Sequence, residues 1–180
     1  MHVATKPKRW TLDEVHNLPD DGNKYELVHG ELFVTPPPSD YHETILARLT
    51  EVLSPYVKRN ALGLIDHPRA VIRVGGSEVE PDLMVRSPAA RPDADRAQSP
   101  VPHLVVEVLS DYTRRRDRVQ KRQFYMRAGI AEYWILDPEQ HAVTIVRADC
   151  PDCRVGDVLT WSPTGAQEAL DIPLVDVFGT

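Results

Sequence analysis

The strongest constraint on the fold of this chain is a single carboxylate inside an apolar run. Residues 101–113 read VPHLVVEVLSDYT, so valines and leucines flank Glu107 in a segment typical of a central β-strand. Because side chains alternate along a strand, Glu107 shares one face with Val105 and Leu109, which are both apolar. An ionised carboxylate in such surroundings is unfavourable by several kcal/mol unless a cation compensates it. Glu107 therefore predicts a bound metal ion or a paired cation.

A second carboxylate, Asp82, ends the VEPD step at residues 79–82. We expect Asp82 to lie on a strand and to meet Glu107 in space. Magnesium ions prefer oxygen ligands and are commonly held by one or two carboxylates, water and substrate phosphate oxygens. The two residues therefore predict a site for Mg²⁺ or Mn²⁺. A Pro-Asp step also commonly ends a strand or caps a turn, which leaves a purely structural role for Asp82 open.

A basic segment follows the Glu107 strand directly. Between residues 110 and 129, seven lysines and arginines stand against two aspartates, although the whole chain carries a formal charge of −6. The overall charge argues against a protein that coats nucleic acid, but the local excess predicts contacts with phosphate groups. The predicted phosphate-binding residues are Arg114, Arg115, Arg116 and Arg118. A solvated helix face is the alternative interpretation of this run.

The same segment predicts a helix from about Arg116 to Ala128, with glycine following. Asp117, Lys121 and Tyr125 recur every four residues, so they form one stripe that can face the Glu107 strand. We interpret Lys121 as a catalytic cation that orients water or stabilises charge on the phosphate, with Asp117 and Tyr125 in supporting positions. The alternatives are a structural ion pair of Lys121 with Glu107, a surface pair of Asp117 with Lys121, and a Tyr125 that only packs.

Two further side chains are weaker site candidates. Glu26 and Glu31 lie in a predicted hairpin and could supply another acidic group, but alternating polar positions on an exposed face explain both glutamates equally well. Of the two, only Glu31 is kept as a possible participant. His42, near the start of a predicted amphipathic helix, could bind substrate or carry a proton, whereas a histidine in a capping turn is the more common case.

Cys150 and Cys153 form a single C-x-x-C pair, so we expect reduced loop thiols rather than a zinc site.

Length and patterning predict one soluble domain over residues 1–180. The apolar and charged fractions, 42 % and 27 %, are ordinary for a globular protein. The chain has no run of about 20 apolar residues and no cleavable signal, so we expect a cytoplasmic protein without membrane contact. The other predicted elements are a helix over 11–18, a hairpin over 24–35, a helix from residue 40 to about 57 that Pro55 kinks or shortens, a hairpin over 64–86 that turns at Gly75-Gly76, a loop over 87–100, and strands over 132–136, 142–146, 158–161 and 170–175.

These motifs resemble the Uma-two family of restriction-endonuclease-like proteins, within the PD-(D/E)XK nuclease superfamily. The resemblance covers most of the chain in order: YELVHGEL at 25–32, the helix with His42, PDLMV at 81–85, VVEVLSDYT at 105–113, the D-x-x-x-K-x-x-x-Y stripe at 117–125 and GIAEYWILDP at 129–138. It implies an α/β (α+β) fold with a restriction-endonuclease-like core, in which helices flank a mixed β-sheet.

The resemblance also assigns individual residues. Asp82 matches the aspartate of the PD motif, and Glu107 matches the acid of the (D/E)xK motif. Leu109 stands where the superfamily pattern has lysine, and Lys121 matches a lysine moved to the following helix. A magnesium-dependent endonuclease acting on DNA, working as a homodimer, is the implied function. The alternatives are a non-catalytic module that binds nucleic acid or protein, and a hydrolase of a small phosphate ester.

Overall fold

The computed structural model describes residues 8–87 and 100–179. The strands are β1 (Lys24–Val28), β2 (Glu31–Thr35), β3 (Leu64–Asp66), β4 (Ile72–Val74), β5 (Ser77–Val79), β6 (Leu83–Arg86), β7 (Leu104–Val108), β8 (Glu132–Asp137), β9 (Ala142–Val146), β10 (Cys153–Val155), β11 (Val158–Trp161) and β12 (Leu170–Pro173). The helices are α1 (Leu12–His16), α2 (Asp40–Arg59), α3 (Arg114–Arg116), α4 (Arg122–Arg127) and α5 (Leu174–Phe178), with a π-helical segment, Asp117–Lys121, between α3 and α4.

These strands form three sheets within the described residues. The largest has the order β10-β9-β8-β7-β6-β3, the second has the order β2-β1-β5-β4, and β11 pairs with β12. Strand β7 lies inside the large sheet, antiparallel to β6 and parallel to β8, with Glu107 opposite Ile135. All five residues of β7 are buried. The predicted central strand and mixed sheet are therefore confirmed.

The two faces of β7 pack against different helices. Leu104, Val106 and Val108 belong to a core cluster that includes Ile45 and Leu49 of α2. Val105 and Leu109, which point to the other face, belong to a second cluster whose helical members include Phe124 and Tyr125. Alternation along a strand therefore buries both faces, and Glu107 lies on the face that the basic helix covers.

The predicted hairpin over residues 64–86 is divided between two sheets. Strands β4 and β5 form the expected antiparallel hairpin around Gly75-Gly76, but β3 pairs with β6 in the large sheet. Asp82 lies just before β6 and not on a strand, so that prediction was wrong. Pro81 gives the physical reason, because it has no N–H to donate to a strand ladder where the chain crosses between the sheets.

The helix ends follow the sequence signals, with two exceptions. Thr11 caps α1 as predicted, and its hydroxyl accepts a hydrogen bond from the Glu14 N–H at 3.3 Å. Pro55 does not shorten α2, which continues to Arg59, because proline deletes only one interior hydrogen bond and its ring faces solvent here. The predicted last strand ends at Pro173, and the following residues form α5.

Three remaining predictions concern the cysteines, the long loop and the membrane. Cys150 and Cys153 are both exposed and free, and Cys153 begins β10, a strand that was predicted as loop. The loop predicted over residues 87–100 falls almost wholly on 88–99, outside the described residues. In the two described ranges, no helix has both the length and the apolar character needed to cross a bilayer.

Candidate active site

A cleft of about 630 Å³ opens at the carboxyl end of β7. Its walls come from the start of β1, the segment before α2, the connection before β6 and the chain between β7 and α3. Asp82 and Glu107 both line the cleft, together with Lys24 and His42. The tertiary structure thus brings the two carboxylates predicted as metal ligands to one cavity.

Asp82 is held against the strand that carries Glu107. Its Oδ2 atom accepts a hydrogen bond of 2.9 Å from the backbone N–H of Val108. Its Oδ1 atom lies 3.1 Å from Lys24 Nζ, and His42 Nε2 lies 3.4 Å from Oδ2. One backbone group and two basic side chains therefore fix this carboxylate at the cleft wall.

These contacts shift the pKa values of all three side chains. Burial raises the pKa of Asp82, but Lys24 and His42 outweigh burial and hold it well below its ordinary value. Burial lowers the pKa of Lys24, but Asp82, Glu26 and Glu107 more than reverse that effect. Burial also lowers the pKa of His42, and its hydrogen bond with Asp82 raises the pKa above the ordinary value. Asp82 and Lys24 therefore form a charged pair at neutral pH.

Glu107 is bound from the helix side of the sheet. Its Oε1 atom accepts hydrogen bonds from Lys121 Nζ at 2.7 Å and from the Tyr125 hydroxyl at 2.5 Å. Burial raises the pKa of Glu107 to about 8, with Asp82 and Asp117 acting in the same direction and Lys121 opposing them. The predicted stripe of Asp117, Lys121 and Tyr125 does face the Glu107 strand.

Lys121 is enclosed by carboxylates and has no exposed surface. Its Nζ atom lies 2.7 Å from an oxygen of Glu107, 2.7 Å from an oxygen of Glu26 and 3.9 Å from Asp117. Burial lowers the pKa of Lys121, but Glu107 and Glu26 outweigh burial and raise it above the ordinary value. Lys121 is not among the residues that line the cleft, so it contacts the site only through Glu107 and its other acidic partners.

From the sequence, only Glu31 is a site candidate in the first hairpin, although Glu26 is considered beside it, and Lys24 has no predicted role. Glu26 is fully buried on β1, where its Oε1 atom accepts a hydrogen bond of 2.9 Å from the Glu80 N–H in addition to contacting Lys121. Burial raises the pKa of Glu26, but Lys121 and other cations outweigh it, so the pKa is lowered. Glu31 is instead exposed at the start of β2 and does not line the cleft. No signal within the hairpin separates these two glutamates, since both occupy alternating polar positions.

The π-helical segment shapes the helix side of the site. It spans Asp117–Lys121, and its first and last residues are both buried. Burial raises the pKa of Asp117, and Lys121 and Arg116 only partly offset that effect. Short π-helical turns are frequent at functional sites because the extra residue re-aims side chains within a helix.

The four predicted phosphate-binding arginines do not form one row. Arg114 and Arg118 lie 2.8 Å and 2.9 Å from the same oxygen of Asp137. Arg116 is buried, donates a hydrogen bond of 2.7 Å to the Thr35 hydroxyl and lies over the Phe33 ring. Arg115 is exposed, and only Arg114 and Arg116 of the four line the cleft.

The donor chemistry of the cleft suits a hard cation. Among the described residues, no group of three or more His, Cys, Asp and Glu side chains is arranged to hold a metal ion. Asp82 and Glu107 nonetheless supply the one or two carboxylates that Mg²⁺ usually takes from a protein, with water and phosphate oxygens completing its shell. In the protein without a metal ion, Lys24 lies 3.1 Å from Asp82 and Lys121 lies 2.7 Å from Glu107.

The fold and the site together define a class of protein. A mixed sheet flanked by helices, with acidic side chains at the end of its central strand, is a restriction-endonuclease-like α+β architecture. The model of the Uma2 family, described as "Putative restriction endonuclease", matches residues 12–174, and the chain belongs to this family.

A solved structure shows the same fold. The chain matches the crystal structure of a "putative nuclease belonging to DUF820" from Anabaena variabilis with a TM-score of 0.79 and 22 % sequence identity, over 94 % of this chain and 97 % of that one. A comparison with curated proteins finds no match. The family description supports a nuclease function at the level of class.

Proposed function

We propose that this protein is a metal-dependent endonuclease that hydrolyses phosphodiester bonds of DNA in the cleft at the end of β7. The observation that carries the proposal is the convergence of Asp82 and Glu107 on one cavity, with Asp82 hydrogen-bonded to the residue that follows Glu107. Both side chains are oxygen donors, and nuclease function is the class that the family description supports.

The side chains of this chain have separate roles in the proposed reaction. Asp82 and Glu107 would hold Mg²⁺ or Mn²⁺, which when bound would lower the pKa of a water molecule and offset charge on the phosphate. Lys121 and Tyr125 orient Glu107 from its buried side through the two hydrogen bonds to Oε1. His42 holds the opposite side of the site through Asp82.

Nucleic acid as the substrate is supported by the size of the cleft and by the basic helix beside it. Lys24, Arg114 and Arg116 line the cleft together with carboxylates. The negative charge of the carboxylates would repel the phosphates of a nucleic acid, so bound divalent ions would be required before such a polyanion enters. Phosphate groups that flank the cut bond would meet Arg115, which is exposed on the basic helix.

The test is cleavage of supercoiled plasmid, linear duplex and single-stranded DNA with Mg²⁺, Mn²⁺ or EDTA. The wild-type protein is expected to cut with a divalent ion and not with EDTA. Asp82→Asn and Glu107→Gln should each lower the rate by about 100-fold or more, because each removes a charged ligand. Glu51→Gln is the matched control, since Glu51 is exposed on α2 and does not line the cleft.

The same assay separates the competing functions. DNA binding without any turnover would reject the endonuclease and favour a binding module. Turnover of bis(p-nitrophenyl) phosphate without cleavage of any DNA would favour a hydrolase of small phosphate esters. Cleavage that survives both Asp82→Asn and Glu107→Gln would show that the chemistry occurs elsewhere. A homodimer would convert supercoiled plasmid to linear product, whereas a monomer that cuts one strand would leave nicked circles.

A further inference from the structure

Two lysines approach the carboxylates of this site, and they come from different elements of the fold. Lys121 reaches Glu107 from the helix and has no exposed surface. Lys24 reaches Asp82 from the first residue of β1, and 17 % of its side chain is exposed. Lys24 lines the cleft and Lys121 does not. Only one of the two ammonium groups therefore adjoins the space that a substrate would occupy.

Each ammonium group has two close acceptors, and the two groups differ in whether the remaining donor can reach the cleft. An ammonium group has three N–H donors. Lys121 Nζ lies 2.7 Å from an oxygen of Glu26 and 2.7 Å from an oxygen of Glu107, and Asp117 is farther away at 3.9 Å. Because Lys121 has no exposed surface, its third donor is not open to a ligand in the cleft. Lys24 Nζ donates to Asp82 Oδ1 at 3.1 Å and to the Glu80 carbonyl at 3.0 Å. Within the described residues, this leaves Lys24 one donor for a ligand in the cleft.

We propose that Lys24 is the catalytic cation that contacts the phosphate undergoing hydrolysis, and that Lys121 is a positioning residue acting through Glu107. This inference rests on the proposed nuclease function and names the residue that touches its substrate. Lys24 donates a hydrogen bond to a non-bridging phosphate oxygen, where negative charge grows during attack by water. No covalent bond to Lys24 forms, and its proton stays on the nitrogen.

A role for Lys24 follows from its position beside a carboxylate. Asp82 Oδ1 lies within hydrogen-bond distance of Lys24 Nζ, so a phosphate bound at Asp82 through a divalent ion lies within reach of the same ammonium. The Glu80 carbonyl also accepts a hydrogen bond from Lys24, and the two acceptors together fix the direction of the side chain before substrate arrives. The site therefore presents a preorganised cation at its open side.

The experiment compares Lys24→Met with Lys58→Met on supercoiled plasmid with Mn²⁺. Lys58 is exposed on α2 and lies outside the cleft lining, so it is the matched control. Lys24→Met is expected to lower kcat by about 100-fold with little change in KM, because the contact strengthens in the transition state. Lys58→Met should match the wild type. Mn²⁺ binding, followed by calorimetry, should persist in Lys24→Met because the ligand carboxylates remain.

Restoring the ammonium group tests the chemistry directly. In a Cys150→Ser, Cys153→Ser background, Lys24→Cys treated with 2-bromoethylamine carries an ammonium at nearly the original length. We expect this treatment to recover most of the lost kcat, and Lys24→Arg to recover only part, since guanidinium differs in shape from a compact ammonium. Recovery of charge without recovery of kcat would overturn the proposal.

The results separate this inference from the proposed function. Wild-type protein that cuts no DNA would remove both. Wild-type cleavage with an equally active Lys24→Met would leave the nuclease in place and reject Lys24 as its catalytic cation. Loss of kcat together with loss of Mn²⁺ binding would assign Lys24 to organising Asp82, and that result would also reject the proposal.

Discussion

The carboxylate of Asp82 is hydrogen-bonded to the backbone N–H of Val108, the residue that follows Glu107 on β7. This bond joins the connection before β6 to the end of the central strand. The same strand, β7, therefore carries Glu107 and holds the carboxylate of Asp82. Glu107 in turn accepts hydrogen bonds from Lys121 and Tyr125, which lie on the helical segment that covers this face of the sheet. The two carboxylates and their partners therefore form one hydrogen-bonded network. Substitutions in this network are expected to change the free energy of unfolding, and that effect is measured apart from DNA cleavage.

Lys121→Met should strongly destabilise the protein. The substitution removes the cation between Glu26 and Glu107 and leaves buried carboxylates without their partner. Breaking a buried pair in this way typically costs about 3–5 kcal/mol. The free energy of unfolding in urea measures the effect, with Lys58→Met as the exposed control. An unchanged denaturation midpoint would contradict the buried network.

Tyr125→Phe should have a smaller effect on stability. It removes the hydroxyl that donates to Glu107 at 2.5 Å and leaves the aromatic packing intact. We expect a loss of about 1–3 kcal/mol in the free energy of unfolding, because Glu107 keeps its hydrogen bond to Lys121. Tyr112→Phe is the control, since Tyr112 is 79 % exposed and should change stability little. Equal effects of the two substitutions would argue against the hydrogen bond.

His42 should titrate above the ordinary histidine pKa of about 6.5 in metal-free protein. The raised pKa comes from Asp82, which outweighs the effect of burial. A raised folded pKa means that this contribution to stability is complete below the unfolded pKa and is lost as pH rises through the folded value. NMR titration in EDTA measures the pKa, and Asp82→Asn should lower it. A His42 pKa unaffected by Asp82→Asn would refute the contact.

Asp137→Asn should strengthen DNA binding at low salt. In the wild type, Arg114 and Arg118 share one oxygen of Asp137, and Arg114 also pairs with Glu139. Loss of the Asp137 charge frees these guanidinium groups for phosphate, and each new contact steepens the dependence of log K on log salt by about 0.9. Fluorescence anisotropy in a Glu107→Gln background measures binding without cleavage.

A second substitution shows whether the arginines cause that gain. Arg114→Ala with Arg118→Ala, added to Asp137→Asn, should abolish the stronger binding and restore the wild-type salt dependence. A gain that persists in the triple variant would mean that other groups bind the phosphates. Arg115→Ala, in the Glu107→Gln background without Asp137→Asn, should by itself weaken binding, because Arg115 is exposed and needs no release from an acidic partner.

Local patterns predicted much of the fold. The apolar run around Glu107 predicted a buried central strand, and the structure places all of β7 in the interior. The Thr11–Glu14 spacing predicted the start of α1, and the four-residue spacing of Asp117, Lys121 and Tyr125 predicted their common face. These features depend on strand and helix periodicity, which a sequence displays directly.

The partners of the central carboxylates were decided by packing between distant segments. Glu26 and Lys24 come from β1, which belongs to a different sheet from β7, and nothing in their own hairpin indicates that they meet Lys121 and Asp82. The same holds for the arginines, whose neighbour Asp137 is supplied by β8.

The sequence by itself therefore determined that Glu107 would be buried, and that a helix-borne lysine would approach it. Only the tertiary structure decided which lysine lines the cleft and which is fully buried. Periodicity fixes the direction of a side chain relative to its own strand or helix, whereas exposure depends on what packs over that strand or helix. Lys121 is covered because β1 brings Glu26 over it, and Lys24 stays open because it begins that strand at the cleft wall.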